Sequence, residues 1–304
     1  MQLKCSKAFQ LTGHSAGIYA LTAGRSAHTV LTGSGDNIVA EWDLRDPQVL
    51  PFAIRLESTV YALRHVGNNL LAIAQGQGGI HIIDLLQKKE IRLLALHKKA
   101  IFDLHFLPKN KQLISLSADG TFGVWDVESF ELVRHIPLGD LKMRRASSSP
   151  DDSMLVICGN DGRLRVFETE FFNEIHTFNA HDKSSNVSMF SPDGNTLISG
   201  GWDGHLRTWD VHNNFSKLLE IPAHNYAIYD LCFSPDYSLL ASASRDKTVK
   251  IWQPESLKPL ARLDVKTGGH SHSVNALHWN AETSLLVSAG DDRRLIGWQL
   301  EVQR

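Results

Sequence analysis

Apolar and polar positions along this chain alternate with the two-residue period of half-buried strands, as where Val249 and Ile251 stand against Thr248 and Lys250. The runs are short and are cut by clusters of Gly, Pro, Asp and Asn, the punctuation of an all-β chain. One stretch reads strand by strand as 228–234, 239–243, 249–252 and 259–263, separated by Pro235-Asp236-Tyr237, Arg245-Asp246-Lys247 and Gln253-Pro254-Glu255. This unit then recurs. At intervals of 41 to 46 residues a β-type run arrives at an aromatic or aliphatic anchor: Trp42, Ile83, Trp125, Phe167, Trp209, Trp252 and Trp298. Such a period belongs to four-stranded units that stack on one another.

Five histidines act as a ruler, each with an aspartate 22 positions later and a tryptophan 28 positions later. They are His14 (Asp36, Trp42), His97 (Asp119, Trp125), His181 (Asp203, Trp209), His224 (Asp246, Trp252) and His270 (Asp292, Trp298). Four residues before each aspartate stands a hydroxyl: Thr32, Ser115, Ser199, Ser242 and Ser288. The fourth unit keeps Asp161 but has Gly139, Ile157 and Phe167 at the other places, and the second has Leu56 or Arg55, Ile73, Gln77 and Ile83.

With Trp42-Asp43, Trp125-Asp126 and Trp209-Asp210 as literal Trp-Asp endings, and Gly-His at Gly13-His14 and Gly269-His270, the chain resembles the WD-repeat β-propeller family over essentially its whole length. Trp252-Gln253 and Trp298-Gln299 depart from that ending. The resemblance implies an all-β fold: one domain over 1–304, a seven-bladed β-propeller with four antiparallel strands per blade. It also implies that the N-terminal strand, 3–11, completes the last blade beside 295–300. Within each complete blade, Asp, His, Ser or Thr and the Trp indole are expected to form a hydrogen-bonded network. In the second and fourth blades apolar contact from Ile73, Ile83, Ile157 and Phe167 is expected to replace it.

The network disposes of a tempting alternative. Ser, His and Asp together suggest a hydrolase, but here the set recurs five times and no Gly-rich nucleophile elbow precedes any of the serines. The expectation is a non-enzymatic chain with no catalytic residues, no cofactor and no metal. His270-Ser271-His272 offers two imidazoles, yet His270 belongs to the network and no third ligand has suitable spacing. Arg144-Arg145-Ala146-Ser147 looks like a basophilic kinase site but falls in the inner strand of the fourth blade. Phe106, Phe190, Phe233 and Trp279, nine residues after their histidines, read as core wedged between sheets.

Composition narrows the partners. Hydrophobic content of 42% with 21% charged residues is that of a globular chain, and a formal charge of −2 argues against general attraction to nucleic acid or anionic membranes. Three cysteines, Cys5, Cys158 and Cys232, are too scattered for a disulfide framework or zinc motif, which suits a reducing compartment. The N-terminus lacks the apolar stretch of a secretory signal, and no run approaches the roughly 18 apolar residues of a membrane span. A cytoplasmic location without membrane contact is expected.

In the family it resembles, the residues three and five positions after the blade histidine, and the residue before the turn aspartate, surround the channel mouth on one face. Five after come Tyr19, Tyr61, Phe102, Arg144, Asn186, Tyr229 and Asn275. Three after come Gly17, Thr59, Ala100, Lys142, Ser184, Ala227 and Ser273, and before the aspartate come Gly35, Gly76, Ala118, Asn160, Trp202, Arg245 and Asp291. The candidate partner-binding face is therefore Tyr19, Tyr61, Phe102, Lys142, Arg144, Asn186, Trp202, Tyr229, Arg245 and Asn275. Large aromatics and arginine dominate protein-binding hot spots.

The expected function is an interaction scaffold for a protein or peptide, the chain acting as a monomer or within a larger complex. Either a cationic side chain passes between aromatic faces, or an acidic group meets Lys142, Arg144 and Arg245. Three alternatives stand beside it. The rings could simply plug the channel. A propeller enzyme of hydrolase or lactonase type could hold a channel metal through Asn160, Asn186, Asn275 and Asp291, a set short of carboxylates. Nucleic acid could use Lys142, Arg144 and Arg245 with nearby rings for stacking, against the near-neutral charge.

Overall fold

A computed structural model describes residues 2–67 and 69–303. Among the described residues, 28 strands form seven four-stranded antiparallel sheets, with one short 3-10 turn at Val265–Thr267. The fold class is the seven-bladed β-propeller that the period implies. Among the described residues no helix is long and apolar enough to cross a membrane.

The chain divides into two compact units, one running up to Val60 and resuming at Ile221, the other Tyr61–Glu220. The first unit holds the first blade (Ile18–Ala23, Thr29–Ser34, Ile38–Asp43, Gln48–Arg55) and the sixth (Ile228–Phe233, Leu240–Ser244, Val249–Gln253, Lys258–Leu263). It also holds the seventh (Val274–Trp279, Leu286–Gly290, Arg294–Gln303), whose fourth strand is the N-terminal Gln2–Thr12. The sixth-blade strands fall within a residue of their expected bounds. The N-terminal strand pairs antiparallel with Arg294–Gln303, Leu11 opposite Leu295 and Cys5 opposite Leu300. A bulge between Lys7 and Phe9 brings the Phe9 ring onto Gly297, where a Cβ would lie 2.4 Å from Phe9 Cε1.

The second unit holds the second blade from its first strand, Val60–Val66, on through Leu70–Gln75, Gly79–Asp84 and Lys89–Ala95. The third follows (Ile101–Leu107, Gln112–Ser117, Thr121–Asp126, Leu132–Pro137), then the fourth (Met143–Ser148, Met154–Gly159, Arg163–Glu168, Glu174–Asn179). The fifth is Ser185–Phe190, Thr196–Gly201, His205–Asp210 and Ser216–Pro222.

Within each unit the blades are held by stacking, because five anchors pack against the blade before their own. Trp42 shares a core cluster with Val287 and Leu295 of the seventh blade, and Trp298 with Ala243 and Ile251 of the sixth. In the other unit Trp125 joins Ala72 and Ile80 of the second blade, and Trp209 joins Val156 and Val166 of the fourth. Phe167 does the same without an indole, meeting Phe122 of the third blade edge-on at 5.3 Å. Ile73, Ile83, Ile157 and Phe167 are all buried, so apolar packing fills the irregular blades as expected. Phe190 and Trp279 are buried, while Phe106 and Phe233 are half-buried.

Candidate functional site

The five complete networks are present. His14 Nδ1 lies 2.9 Å from Asp36, and the corresponding distances are 3.0 Å for His181–Asp203, 3.0 Å for His224–Asp246 and 2.8 Å for His270–Asp292. With Nδ1–H donating to the carboxylate, Nε2 accepts from the hydroxyl, at 2.7 Å for Thr32 and Ser242, 2.9 Å for Ser199 and 2.8 Å for Ser288. The same oxygens accept the Trp indole N–H at 2.8–2.9 Å. The third blade differs: His97 Nδ1 meets Thr121 Oγ1 at 3.1 Å, Thr121 donates to Asp119 at 2.7 Å, and Asp119 itself stands 3.5 Å from the ring.

Thr32, Ser115, Ser199, Ser242 and Ser288 have no solvent exposure, so none of these hydroxyls can reach a substrate. Burial alone would raise the carboxyl pKa of Asp36, Asp246 and Asp292. Bonds from the imidazole and from the backbone N–H after the histidine override it and hold these groups below the usual carboxylate range. Burial depresses His97, His181 and His224, which keeps their rings neutral. In the fifth blade Arg207 adds to the network, its Nη1 donating to Asp203 at 2.7 Å and its Nη2 to Glu220 at 2.7 Å. The fourth blade has Gly139 at the place of the network histidine, and Arg165 grips Asp161 through two bonds of 2.6 and 3.2 Å.

The candidate face owes its geometry to a repeated irregularity. The inner strand slips register between Ile18 and Ala20, Ile101 and Asp103, Met143 and Ala146, Ser185 and Val187, Ile228 and Asp230, and Val274 and Ala276. The residue inside each slip is the one five after the blade histidine: Tyr19, Phe102, Arg144 (with Arg145), Asn186, Tyr229 and Asn275. A bulge re-aims its side chain out of the strand's alternation, which is how these residues leave the core pattern.

The two other positions are tied together by the backbone. The residue before the turn aspartate donates its N–H to the carbonyl three after the histidine: Gly35 to Gly17, Ala118 to Ala100, Asn160 to Lys142, Trp202 to Ser184, Arg245 to Ala227 and Asp291 to Ser273, at 2.8–3.1 Å.

Within each unit the ten candidates separate by surroundings. In Tyr61–Glu220, the Tyr61 ring meets Phe102 edge-on at 5.4 Å, and the Arg144 guanidinium lies over Phe102 at 5.1 Å. Lys142 is exposed, Trp202 is 38% exposed and Asn186 is buried. In the other unit Tyr19 and Tyr229 are half-buried and Arg245 is exposed. Gly35 does not leave an empty slot, since a Cβ there would lie 3.2 Å from Tyr19 Cε2: the tyrosine itself fills it. Asn275 engages both amide hydrogens within the fold, donating to Ile18 O at 3.0 Å and Asp291 Oδ1 at 2.7 Å.

Tyr226 escaped the reading of the sequence. It is 60% exposed and lies under Arg245, whose Cζ is 6.0 Å from the ring centroid. Its place two after His224 falls between the positions used, and only its residue type could have flagged it. Ser147, in the apparent kinase motif, is buried and bonded to Ser188 at 2.8 Å. Among the described residues no group of three or more His, Cys, Asp or Glu side chains is arranged to hold a metal ion.

Sheet count, blade stacking and the His–Asp–Ser–Trp network together define a propeller built from Trp-Asp repeats. The profile described as WD domain, G-beta repeat matches residues 4–43, 88–126, 172–210, 215–253 and 258–299, more than half of the sequence, and the chain belongs to that family. The stretches between matches contain most of the second blade and most of the fourth, the two without the network. Relatives include WD repeat and SOCS box-containing protein 1 of Homo sapiens, 34% identical over 94 residues, covering 31% of this chain and 21% of that protein. The WD repeat-containing protein WDS homolog of Arabidopsis thaliana is 35% identical over 94 residues, covering 30% and 17%. The cell division cycle protein cdt2 of Schizosaccharomyces pombe is 38% identical over 81 residues, covering 26% and 16%. The matched segments thus span about a fifth or less of these relatives' length.

Proposed function

We propose that this chain is a non-catalytic docking platform, and that a partner peptide binds over the bulged residues and their neighbours before the turn aspartates. WD-repeat propellers generally serve as protein-interaction scaffolds. The observation that carries the reading is the bulge recurring at one position in six inner strands, which takes Tyr19, Phe102, Arg144 and Tyr229 out of the strand alternation. Trp202 and Arg245, one position before their turn aspartates, add an aromatic ring and a guanidinium, each within its own unit. Rigid rings and guanidinium groups supply contact area at low entropic cost. We place the chain in the cytoplasm, as a monomer or as part of a larger complex.

The test is affinity capture from source lysate with wild type and with a Trp202→Ala/Tyr229→Ala double variant. The expected result is loss of a specific protein band in the variant with a melting temperature near that of wild type. Equal capture by both proteins would place the docking surface elsewhere.

A further inference from the structure

Within Tyr61–Glu220, cationic groups gather where the irregular blades flank the third. The second blade's turn carries the exposed, uncharged Gln77 at the place of the aspartate. In the fourth blade the turn aspartate, Asp161, is already bound by Arg165. Lys98 and Lys99 are exposed on the loop before the third blade, and Lys142 on the loop before the fourth. Carboxylates on the same loops and turns include Asp119, which accepts the Lys98 and Thr121 N–H groups, and the exposed Asp140.

These loops are contiguous. A Cβ on Gly78, in the second blade's turn, would lie 2.2 Å from His97 O, and one on Gly120, in the third blade's turn, 1.8 Å from Gly139 O. The Lys142 backbone is pinned from both sides, its N–H donating to Asn160 Oδ1 at 2.9 Å and its carbonyl accepting the Asn160 N–H at 3.1 Å.

The aromatic face in this sector is already covered by a cation of the chain itself, because Arg144 lies over Phe102. An incoming lysine or arginine would find that face taken, with Lys142 two residues away. We infer that the sector formed by Tyr61, Phe102, Lys142 and Arg144, with Lys98 and Lys99 at its margin, receives an acidic peptide whose Asp or Glu side chains face Lys142 and Arg144. The inference rests on the docking reading above and selects between its two chemistries. A net charge of −2 argues against general attraction to polyanions, so recognition of an acidic group has to be local, which favours a short acidic segment over a long polyanion.

The experiment is selection of a displayed random dodecapeptide library on the whole chain, in parallel on Lys142→Glu and Arg144→Gln. Lys142 is exposed, so its variant keeps the fold, and a matching melting temperature verifies this. The expected outcome is enrichment of acidic peptides on wild type, with a synthetic copy binding Lys142→Glu about tenfold more weakly. Enrichment of basic or uncharged peptides overturns the acidic assignment and leaves the docking reading standing, as does an acidic set lost only on Trp202→Ala. Failure of any peptide to enrich removes the docking reading itself. Displacement of the selected peptide by an unrelated single-stranded oligonucleotide at a lower concentration than by the free peptide would reassign the sector to polyanions.

Discussion

Asp103 Oδ2 accepts the backbone N–H of Ala146 at 2.8 Å, joining the inner strand of the third blade to that of the fourth. Asp230 does the same for Leu277, also at 2.8 Å, between the sixth and seventh blades. Both aspartates stand six after their histidine, next to the bulged residue, and both partners stand at the position seven after the histidine place of the following blade. One slip in the strand therefore turns a side chain outward and sets its neighbour as a clamp.

The clamp depends on an oxygen more than on a charge. Burial pushes the Asp103 carboxyl up from its ordinary range, while Arg145 and Arg64 pull the other way. Asp103→Ala leaves the buried Ala146 N–H without its acceptor and is expected to cost about 2 kcal/mol. Asp103→Asn keeps an oxygen and removes the desolvated charge, so its cost is expected to be under about 1 kcal/mol. Urea midpoints of the three proteins check this, and equal losses for both variants would show that the charge matters more than the acceptor.

Next to that clamp, His105 Nε2 lies 3.0 Å from Ser148 Oγ. Burial first, then Arg64 and Arg145, depress its pKa to about 3. The folded-state value lies below the unfolded one of about 6.5, so the unfolded chain takes up a proton that the folded one refuses. The associated stability is complete above pH 6.5 and is lost as pH falls toward 3, at up to about 1.4 kcal/mol per pH unit. His97, His181 and His224, depressed by burial, act in the same direction. Unfolding free energies between pH 7.5 and 5 are expected to fall less steeply for His105→Gln than for wild type, by close to one proton. Parallel slopes would mean that His105 is protonated in the folded chain.

The fourth blade offers a reconstruction. Phe167 stands where other blades have Trp, and Ile157 where they have the accepting hydroxyl. Phe167→Trp alone adds volume and brings an indole N–H to an apolar neighbour, with an expected cost of about 1–3 kcal/mol. Ile157→Ser alone leaves a small cavity and a buried hydroxyl. The double variant recreates the pair that bonds at 2.8–2.9 Å in five blades, and its cost is expected to be smaller than the sum of the two singles by about 1 kcal/mol. A double-mutant cycle in urea reads this coupling directly, and additive losses would show that the blade's backbone has drifted from the common geometry.

Spacing made the blades and their networks legible, because a hydrogen bond of fixed length between strands of fixed register leaves a fixed interval in sequence. His14, Asp36, Thr32 and Trp42 could be assigned that way. What spacing could not carry was backbone irregularity: nothing in the residue types of Ile18-Tyr19-Ala20 marks the bulge that turns Tyr19 outward. The Asp103 clamp was missed for the same reason, and Thr121, which stands between His97 and Asp119 in the third network, lies at a position that the His–Asp–Trp intervals do not mark. Local pairing also escaped. The Tyr19 ring fills the space over Gly35, which the residue type of Gly35 does not reveal, and the Tyr226 ring beneath Arg245 lies off the register altogether.

The N-terminal strand bears on stability out of proportion to its length. Gln2–Thr12 forms a whole side of the seventh blade, in register with Arg294–Gln303 over ten residue pairs. The Phe9 and Leu11 side chains join the cluster that holds Trp42 and Val287, and Leu3 and Cys5 join the one that holds Trp298. Removing residues 1–12 exposes the N–H and C=O groups of Arg294–Gln303 as an unpaired edge and uncovers apolar surface on both clusters. The truncated chain is therefore expected to melt at least about 10 °C lower, and to form concentration-dependent oligomers through the open edge. A synthetic peptide of residues 1–12 added in excess should restore part of both losses, because it can re-form the same ladder. Thermal scans and size-exclusion chromatography, each with and without the peptide, read the outcome, and a truncated chain that melts with the full-length protein would mean that this strand does not hold the seventh blade together.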